Sequence, residues 1–305
     1  PNAVLMKRSE FIRNTFLLTG GILSAPSLLA QGKKSKTRKI TILHTNDTHS
    51  NIEPFPSNHP KFPNQGGVVK RFKLINEIRE QEEHVLLLDA GDIFQGTPYF
   101  NMFGGVLEMK AMTLMGYDAA TMGNHDFDAG LDGFLKAKQY AAFPFLCANY
   151  DFSTTILKDQ TTPSVIIEKG GVRIGIFGIG VQLDGLVPAD KFDETLYLDP
   201  VQCANEEADK LKKKGCELII CLSHLGYSYE SEMISDLKLA KQTRNIHLII
   251  GGHTHTFLDR PTEEKNLDGE TVLVNQVGWG GLELGRLDFI VEKKRFNKTA
   301  GVVVQ

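Results

Sequence analysis

The sequence lacks the features that mark several common classes of protein. Its four cysteines, Cys147, Cys203, Cys216 and Cys221, show no Cys-x-x-Cys spacing. No zinc ribbon is indicated, and we expect buried thiols. The formal net charge is only −3, which does not suit binding to a nucleic-acid polymer through a basic surface. After residue 39 there is no internal repeat and no low-complexity block.

The N-terminal segment has no apolar run long enough for a membrane span. Residues 16–30 are apolar but interrupted by glycines and a proline, and they follow Lys7, Arg8 and Arg13. A span needs about 20 apolar residues, so this pattern favours an export signal at residues 1–30. The residues before Met6 are interpreted as the product of an upstream start. A buried or amphipathic helix at residues 6–30 is the alternative.

Export implies a periplasmic or extracellular location, but the sequence leaves the route open. The run at residues 8–13 is similar to a twin-arginine signal, with Ser9 in place of the second arginine. Both the twin-arginine and the general secretory route therefore remain open. Residues 31–39 are polar and basic and are predicted to form a linker. We expect the folded catalytic domain to comprise residues 40–305.

Short apolar runs recur through this domain and alternate with helix-like segments. Runs of strand length begin at residues 40, 84, 117, 172, 216, 246, 271 and 284. Residues 67–83 and 201–214 have the pattern of helices between them. This alternation predicts an α/β layered domain. We interpret residues 53–65, the segment from Phe94 and residues 182–200 as long connections, which often carry function.

Residues able to bind metal follow five of the predicted strands. They are Asp47 and His49, then Asp89 and Asp92, then Asn124, His125, Asp126 and Asp128, then His224, and finally His253 and His255. The carboxyl ends of strands in an open α/β sheet border the usual ligand crevice, so these side chains can converge. We expect Asp47 with His49, and His253 with His255, to project to one side of extended backbone.

The chemistry of this set favours two divalent ions. Histidine, aspartate and asparagine without thiolate suit Zn²⁺, Mn²⁺ or Fe²⁺. Seven ligands are too many for one tetrahedral ion, whereas two ions about 3.5–4 Å apart with a shared carboxylate would use them all. Such a pair clamps a phosphoryl group and activates water.

Each motif alone has a simpler interpretation. An isolated Asp-x-His pair is usually a cap or a surface pair, and Gly-Asn-His-Asp can be a turn. The two histidines of "GGHTH" have little structural purpose, and five motifs after five strands are hard to explain without a metal site. His44, His59, His84 and His247 fit none of these motifs, and we interpret them as ordinary surface or core residues.

The motifs "NDTHS", "DAGDIFQGTP", "GNHDFD", "SHLG" and "GGHTHT" resemble those of the calcineurin-like metallophosphoesterases. The resemblance is to the catalytic domain of the 5′-nucleotidase and UDP-sugar hydrolase branch and covers residues 40–295. It implies a four-layer αββα sandwich with a dinuclear metal site.

The resemblance also implies a role for each matching residue. Asp47, His49 and His255 would hold one ion, Asn124, His224 and His253 would hold the other, and Asp92 would bridge them. His125 would contact the phosphate and stabilise the transition state, and Asp128 would orient His125.

The activity implied is hydrolysis of a phosphomonoester, most simply a nucleotide, by in-line attack of a metal-activated water. Hydrolysis of a UDP-sugar, a cyclic nucleotide or a sulfur-group ester is an alternative, as is a binding subunit without activity. Enzymes of this branch usually continue into a nucleoside-binding domain. Either the site here is broad, or a separately encoded domain completes it, or an aromatic loop with Tyr99, Phe100 and Phe103 contacts the substrate. Packing is the simpler role for these aromatics.

Overall fold

Two six-stranded sheets run through the part of the chain that the structure describes. The structure is a computed structural model that describes the backbone of residues 38–292 and 295–304 and the side chains of residues 38–291. The predicted export signal and residues 31–37 of the predicted linker lie outside the described residues. Arg38 and Lys39 were also predicted as linker but belong to the first strand of the fold.

Sheet 1 is mixed, with strand order β14-β13-β1-β2-β3-β4. Its strands are β1 (Arg38–Thr45), β2 (Val85–Asp89), β3 (Ala119–Thr121), β4 (Phe145–Leu146), β13 (Glu283–Glu292) and β14 (Arg295–Val304). Strands β1 to β4 are parallel, and β13 pairs antiparallel with β1. The carboxyl ends of β1, β2 and β3 therefore lie at the same edge of the sheet.

Sheet 2 has strand order β11-β12-β10-β9-β7-β6. Its strands are β6 (Ser164–Lys169), β7 (Val172–Ile179), β9 (Leu218–Ser223), β10 (Leu248–Ile250), β11 (Thr262–Lys265) and β12 (Thr271–Asn275). The four central strands are parallel, and the edge strands β6 and β11 are antiparallel to their neighbours. A separate two-stranded antiparallel sheet pairs β5 (Tyr150–Asp151) with β8 (Leu196–Tyr197).

Helices cover the outer face of each sheet. They are α1 (Val68–Gln81), α2 (Pro98–Phe103), α3 (Val106–Met115), α4 (Gly130–Lys138), α5 (Ala189–Phe192), α6 (Pro200–Lys213) and α7 (Asp236–Gln242), and Asn124–Phe127 form a 3₁₀ turn. Helices α1, α3 and α4 pack on sheet 1, and α6 and α7 pack on sheet 2. Pro200 at the first turn and Asp199, whose carboxylate accepts the Gln202 N–H, fix the start of α6.

The alternation of side chains along the strands produces three apolar layers. Leu43 and Leu87 face the helices on sheet 1, whereas Ile42 and Leu86 face sheet 2. Sheet 2 is also apolar on both faces, as a sheet covered on both sides must be. The order helix, sheet, sheet, helix confirms the αββα sandwich that the family resemblance implies.

Most strand predictions agree with the structure, and two connections were predicted wrongly. Each of the eight apolar runs contains a strand, and α1 and α6 match the two predicted helices. Residues 182–200 are not simply a connection, because they contain α5 and β8. Nor is the segment from Phe94, which contains α2. Pro98 occupies the first turn of this helix, and Gly104 ends it in the left-handed conformation.

The four cysteines are free and buried, as expected. No helix among the described residues is long and apolar enough to cross a bilayer.

Candidate metal centre

The carboxyl ends of strands from both sheets bring two groups of metal-capable side chains together. The first group is Asp47, His49 and His255, and the second is Asp92, His224 and His253. Within each group the ligand atoms all lie within 4.8 Å of one another. In the first group His255 Nε2 lies 3.0 Å from His49 Nε2 and 3.3 Å from Asp47 Oδ1.

Asn124 adds an oxygen to the second group. Its Oδ1 lies 2.8 Å from His253 Nδ1. In the same group His224 Nε2 lies 3.0 Å from Asp92 Oδ2, without the alignment of a hydrogen bond. These two atoms face each other as two ligands of one cation would. A buried imidazole nitrogen without a hydrogen-bond partner fits a metal ligand.

Asp92 lies between the two groups. Its Oδ2 is close to His224 in the second group and 3.9 Å from His49 Nε2 in the first. Asp47 Oδ1 is likewise 3.9 Å from His224 Nε2. The donor set therefore fits two adjacent divalent cations with one carboxylate shared between them.

Hydrogen bonds from the far side of each ring fix the orientation of two histidines. His224 Nδ1 donates to the carbonyl of Ala90 over 2.7 Å, and His49 Nδ1 donates to that of Phe94 over 3.2 Å. When the ring is neutral, this arrangement leaves Nε2 as a lone-pair donor, as is usual for a metal-binding histidine.

The backbone at these ligands is mostly left-handed rather than extended. φ is +48° at Asp47, +46° at His49, +55° at Asp92, +72° at His253 and +52° at His255. The expectation that extended backbone places the i and i+2 side chains together is therefore wrong. Asp47 and His49 do share a group, but His253 and His255 belong to different groups. Non-glycine residues in this region store backbone strain, which concentrates at functional sites.

Glycine at position 123 lets two elements approach the site closely. A Cβ there would overlap Asp92 Oδ1 and lie 2.6 Å from His224 Cε1. Even alanine would therefore push the second group apart.

The buried charges of the second group are strongly coupled. Burial opposes a charge on His224, but the carboxylates of Asp92 and Asp47 raise its pKa to about 10. Burial alone would raise the pKa of Asp92, yet the imidazole of His224 holds it well below its usual range. Burial lowers the pKa of His253 to about 4. Two buried carboxylates thus favour positive charge at this position, which a divalent cation supplies.

Comparison of this chain with known protein families agrees with this geometry. Residues 40–257 match the calcineurin-like phosphoesterase family. The chain belongs to that family.

Similar proteins include several 5′-nucleotidases. The snake venom 5′-nucleotidase of Gloydius brevicauda is 35% identical over an alignment of 276 residues that covers 84% of this chain and 46% of that protein. The structure of a 5′-nucleotidase precursor from Thermus thermophilus has a TM-score of 0.78 at 32% identity and matches 88% of this chain and 54% of that one. The NAD nucleotidase of Haemophilus influenzae has a TM-score of 0.77 at 28% identity, with 88% and 56% covered. The chain spans about half the length of these relatives.

His125 and Asp128 of this phosphoesterase lie beside the metal-capable groups and belong to neither. His125 Nδ1 is 2.9 Å from Asp128 Oδ2, and its backbone N–H donates to Asp92 Oδ1 over 2.7 Å. The ring centroid is 5.3 Å from that of His49. The hydrogen bond to Asp128 raises the pKa of His125. Since Asp128 occupies Nδ1, Nε2 is the atom left to contact a ligand.

Asp126 has a structural role that the sequence did not reveal. Its buried carboxylate accepts the backbone N–H groups of Asp92, Ile93, Phe94 and Gly123 over 2.8 to 3.2 Å. Burial and the charge of Asp92 raise its pKa to about 7. Asp126 therefore joins the Asp92 loop to the Asn124 loop. Its place within "GNHDFD" was the available signal.

Asp89 also lies outside both groups. Its carboxylate accepts hydrogen bonds from the Thr45 hydroxyl over 2.6 Å and from the Gly91 N–H over 2.9 Å. These hydrogen bonds hold together the ends of β1 and β2, from which the loops that carry Asp47 and Asp92 begin.

The segment 276–281, "QVGWGG", forms a clamp that sequence reasoning missed altogether. Asn46 donates to the Gly278 carbonyl and accepts the Val277 N–H. The Gly280 N–H donates to the Asp47 carbonyl over 2.7 Å. The Trp279 ring stacks on His255, with centroids 6.0 Å apart. This clamp joins the loops of Asp47 and His255, and no local pattern signals such a long-range contact.

The aromatic residues after Phe94 differ in their contacts, and Phe103 is 47% exposed. Phe100 stacks on Phe94 with centroids 5.4 Å apart, and the Tyr99 hydroxyl donates to Glu53. Among the other histidines, His44 is fully buried, and its Nε2 lies 2.8 Å from the Asn275 amide nitrogen.

Proposed function

We propose that this protein is a dinuclear-metal phosphohydrolase that cleaves phosphomonoesters, with 5′-nucleotides as the leading substrate class. The observation that carries this proposal is the pair of adjacent metal-capable groups with Asp92 between them. The similarity to proteins named 5′-nucleotidases supports the choice of nucleotides.

We assign the ligands by group. Asp47, His49 and His255 would hold one divalent ion, Asn124, His224 and His253 would hold the other, and Asp92 would bridge them. The oxygen and imidazole donors suit Zn²⁺, Mn²⁺ or Fe²⁺. When bound, such a pair polarises the phosphoryl oxygens and lowers the pKa of the attacking water for in-line displacement.

The side chains outside the ligand set have their own roles in this proposal. His125 would donate a hydrogen bond from Nε2 to a phosphoryl oxygen or to the leaving oxygen. Asp128 accepts the Nδ1 proton of His125, which fixes the ring and favours its protonated form. A donor placed where negative charge grows is among the largest single contributions to catalysis.

A second candidate substrate class is a nucleotide pyrophosphate. The similar fold of a protein named NAD nucleotidase favours it, and UDP-sugars belong to this class. A 2′,3′-cyclic nucleotide is a further candidate.

We also propose the domain arrangement and location that the sequence suggests. Residues 1–30 would direct export to the periplasm or the extracellular space, residues 31–37 would be a linker, and residues 38–305, which begin with β1, would form the catalytic domain. The relatives are about twice as long as this chain. We propose that a nucleoside-binding domain is the partner that supplies nucleoside selectivity.

A substrate panel tests the proposal. Metal-loaded protein is assayed against p-nitrophenyl phosphate, AMP, a UDP-sugar and a 2′,3′-cyclic nucleotide. We expect hydrolysis of p-nitrophenyl phosphate and AMP. No turnover of any of the four with both ions bound would refute the phosphohydrolase assignment.

A further inference from the structure

A small cavity lined by both apolar and polar side chains lies between α1, α3 and the loop that carries His49. Its volume is about 10 Å³, close to the space that one water molecule requires. Apolar side chains such as Met112 and Ile93 close it on several sides, and Thr48, Ser50 and Asn51 line the side toward the metal centre.

Two buried charged side chains line this cavity, and each has nitrogen or oxygen atoms without a hydrogen-bond partner. Arg71 on α1 is 2% exposed, and its Nε and Nη2 have no partner. Glu108 on α3 is 3% exposed, and neither carboxylate oxygen has a partner. Burying such groups without compensation is costly. The Ser50 hydroxyl, also buried, is a third group without a partner.

These atoms match the hydrogen-bonding capacity of water. A buried water usually makes about three hydrogen bonds to polar groups that otherwise have none. Arg71 can only donate and a carboxylate can only accept, so a water between them can accept from an Arg71 N–H and donate to a Glu108 oxygen. The Ser50 hydroxyl can either donate a hydrogen bond to this water or accept one from it.

The cavity is joined to the metal centre through the loop at residues 48–52. The Ser50 N–H donates to the Ile93 carbonyl, and the His49 N–H donates to the Asp92 carbonyl. Ser50 has a strained backbone with φ of +52°. On the other side of Arg71, a Cβ at Gly281 would overlap Nη2. Arg71 therefore packs against the clamp at residues 276–281 that holds Asp47.

We propose that this cavity binds one ordered water molecule, which links Arg71, Glu108 and the Ser50 hydroxyl and so holds the His49 loop in its metal-binding conformation. Arg71, Glu108 and Ser50 act as positioning residues, since none of them is among the metal ligands. The water site is independent of the proposed function, whereas its effect on metal binding rests on it.

The direct test is a crystal structure of the full chain at a resolution that shows internal waters. We expect one density peak at hydrogen-bond distance, roughly 2.7–3.2 Å, from atoms of Arg71, Glu108 and Ser50. An empty cavity, or a direct contact between Arg71 and Glu108 that leaves no room for water, would overturn the proposal.

The functional test is Ser50→Ala with Mn²⁺ titrated by calorimetry. Loss of one net hydrogen bond predicts Mn²⁺ binding weaker by roughly 2- to 10-fold, with little change in Tm. Thr195→Val is the matched control, because Thr195 is also buried with a hydroxyl that lacks a partner. We expect it to bind Mn²⁺ as the wild type does. Equal affinity for Ser50→Ala and the wild type would contradict the positioning role.

A double-mutant cycle tests the link between the two charges. Arg71→Met leaves the buried Glu108 side chain without a cation beside it, so we expect Tm to fall by roughly 6–15 °C. Glu108→Leu should lower Tm by less, because Arg71 still interacts with the buried Asp89 carboxylate. The double variant should recover most of the Tm yet retain weakened Mn²⁺ binding, because it cannot hold the water. Full recovery of Mn²⁺ affinity in the double variant would show that Arg71 and Glu108 affect stability but not metal binding. If the wild type shows the water but binds no Mn²⁺, the proposed function fails and the water site stands.

Discussion

At the scale of single residues, hydrogen bonds hold the ligands in a strained backbone conformation. The Asp47 N–H donates to the Gly91 carbonyl, and the His253 N–H donates to the Asp47 carboxylate over 3.0 and 3.1 Å. Each bond crosses between segments that are far apart in sequence. The surrounding fold thus fixes positions that these residues would not adopt alone, which places the donors before a cation binds.

His125→Ala tests the residue assigned to the transition state. We expect turnover of AMP to fall by about 10²- to 10³-fold, the loss typical when one such donor is removed. Metal content per chain, measured by elemental analysis, should not change because His125 is outside both groups. His59→Ala is the control, since His59 packs on Phe55 and Phe62. Unchanged turnover, or loss of both metals, would contradict the assignment.

Asp126→Asn tests the carboxylate that joins two ligand loops. An amide NH₂ in place of one oxygen would face backbone N–H groups, so we expect unfolding free energy to fall by about 2–4 kcal/mol. Urea unfolding of the metal-free protein measures this change. The exposed Asp159→Asn serves as the control. If both variants unfold at the same urea concentration as the wild type, Asp126 does not hold the loops together.

At the scale of secondary-structure elements, local patterns predicted the strands better than the contacts between loops. The run "VLLLDA" is continuous and apolar because β2 is buried on both faces, and such runs are readable. The metal-capable residues could be predicted because they follow directly after such apolar runs. Strand β6 was not predicted, because its side chains are mostly half-buried and carry no continuous apolar signal.

The pairing of β1 with β13 includes an acidic residue that makes stability depend on pH. Asp288 on β13 accepts a hydrogen bond from the Thr41 hydroxyl over 2.7 Å and lies 3.0 Å from Lys39 Nζ. Burial alone would raise the pKa of Asp288, but Thr41, Lys39 and Arg286 together lower it below 3.8. A depressed pKa contributes stability above the ordinary pKa and loses it as pH falls through the folded value.

We therefore expect Asp288→Asn to lower Tm at pH 5–7 in low salt. The difference from the wild type should shrink as the pH falls through the lowered pKa of Asp288, below which the wild-type carboxylate is also protonated. Thermal unfolding followed by circular dichroism across this range measures it. The exposed Asp184→Asn should show no such trend. A Tm difference that grows at low pH would contradict a lowered pKa of Asp288 in the folded protein.

At the scale of the whole molecule, the fold joins residues separated by about two hundred positions. Asp47 follows a strand of sheet 1 and His255 follows one of sheet 2, yet their ligand atoms lie 3.3 Å apart. The order of motifs along the sequence predicted this convergence. The clamp and the Arg71 cavity could not be predicted, because they depend on contacts that only the folded chain creates.

Metal removal should destabilise the entire domain, since the ligands come from both sheets. Saturating metal at about 100 times its Kd adds roughly 2.7 kcal/mol per site. We expect dialysis against a chelator to lower Tm by roughly 5–15 °C and added Mn²⁺ to restore it. A His253→Ala/His255→Ala variant should show little response. An identical Tm with and without metal would indicate that no ion binds the folded state.

The most direct test of the central claim measures bound metal and AMP hydrolysis on the same samples. Metal-free protein is titrated with Mn²⁺, and each sample is analysed for ions per chain and for phosphate released from AMP. The account predicts two ions per chain at saturation, with activity rising as the second ion binds. Saturation at one ion or none, or two bound ions with no phosphate released from AMP, would contradict it.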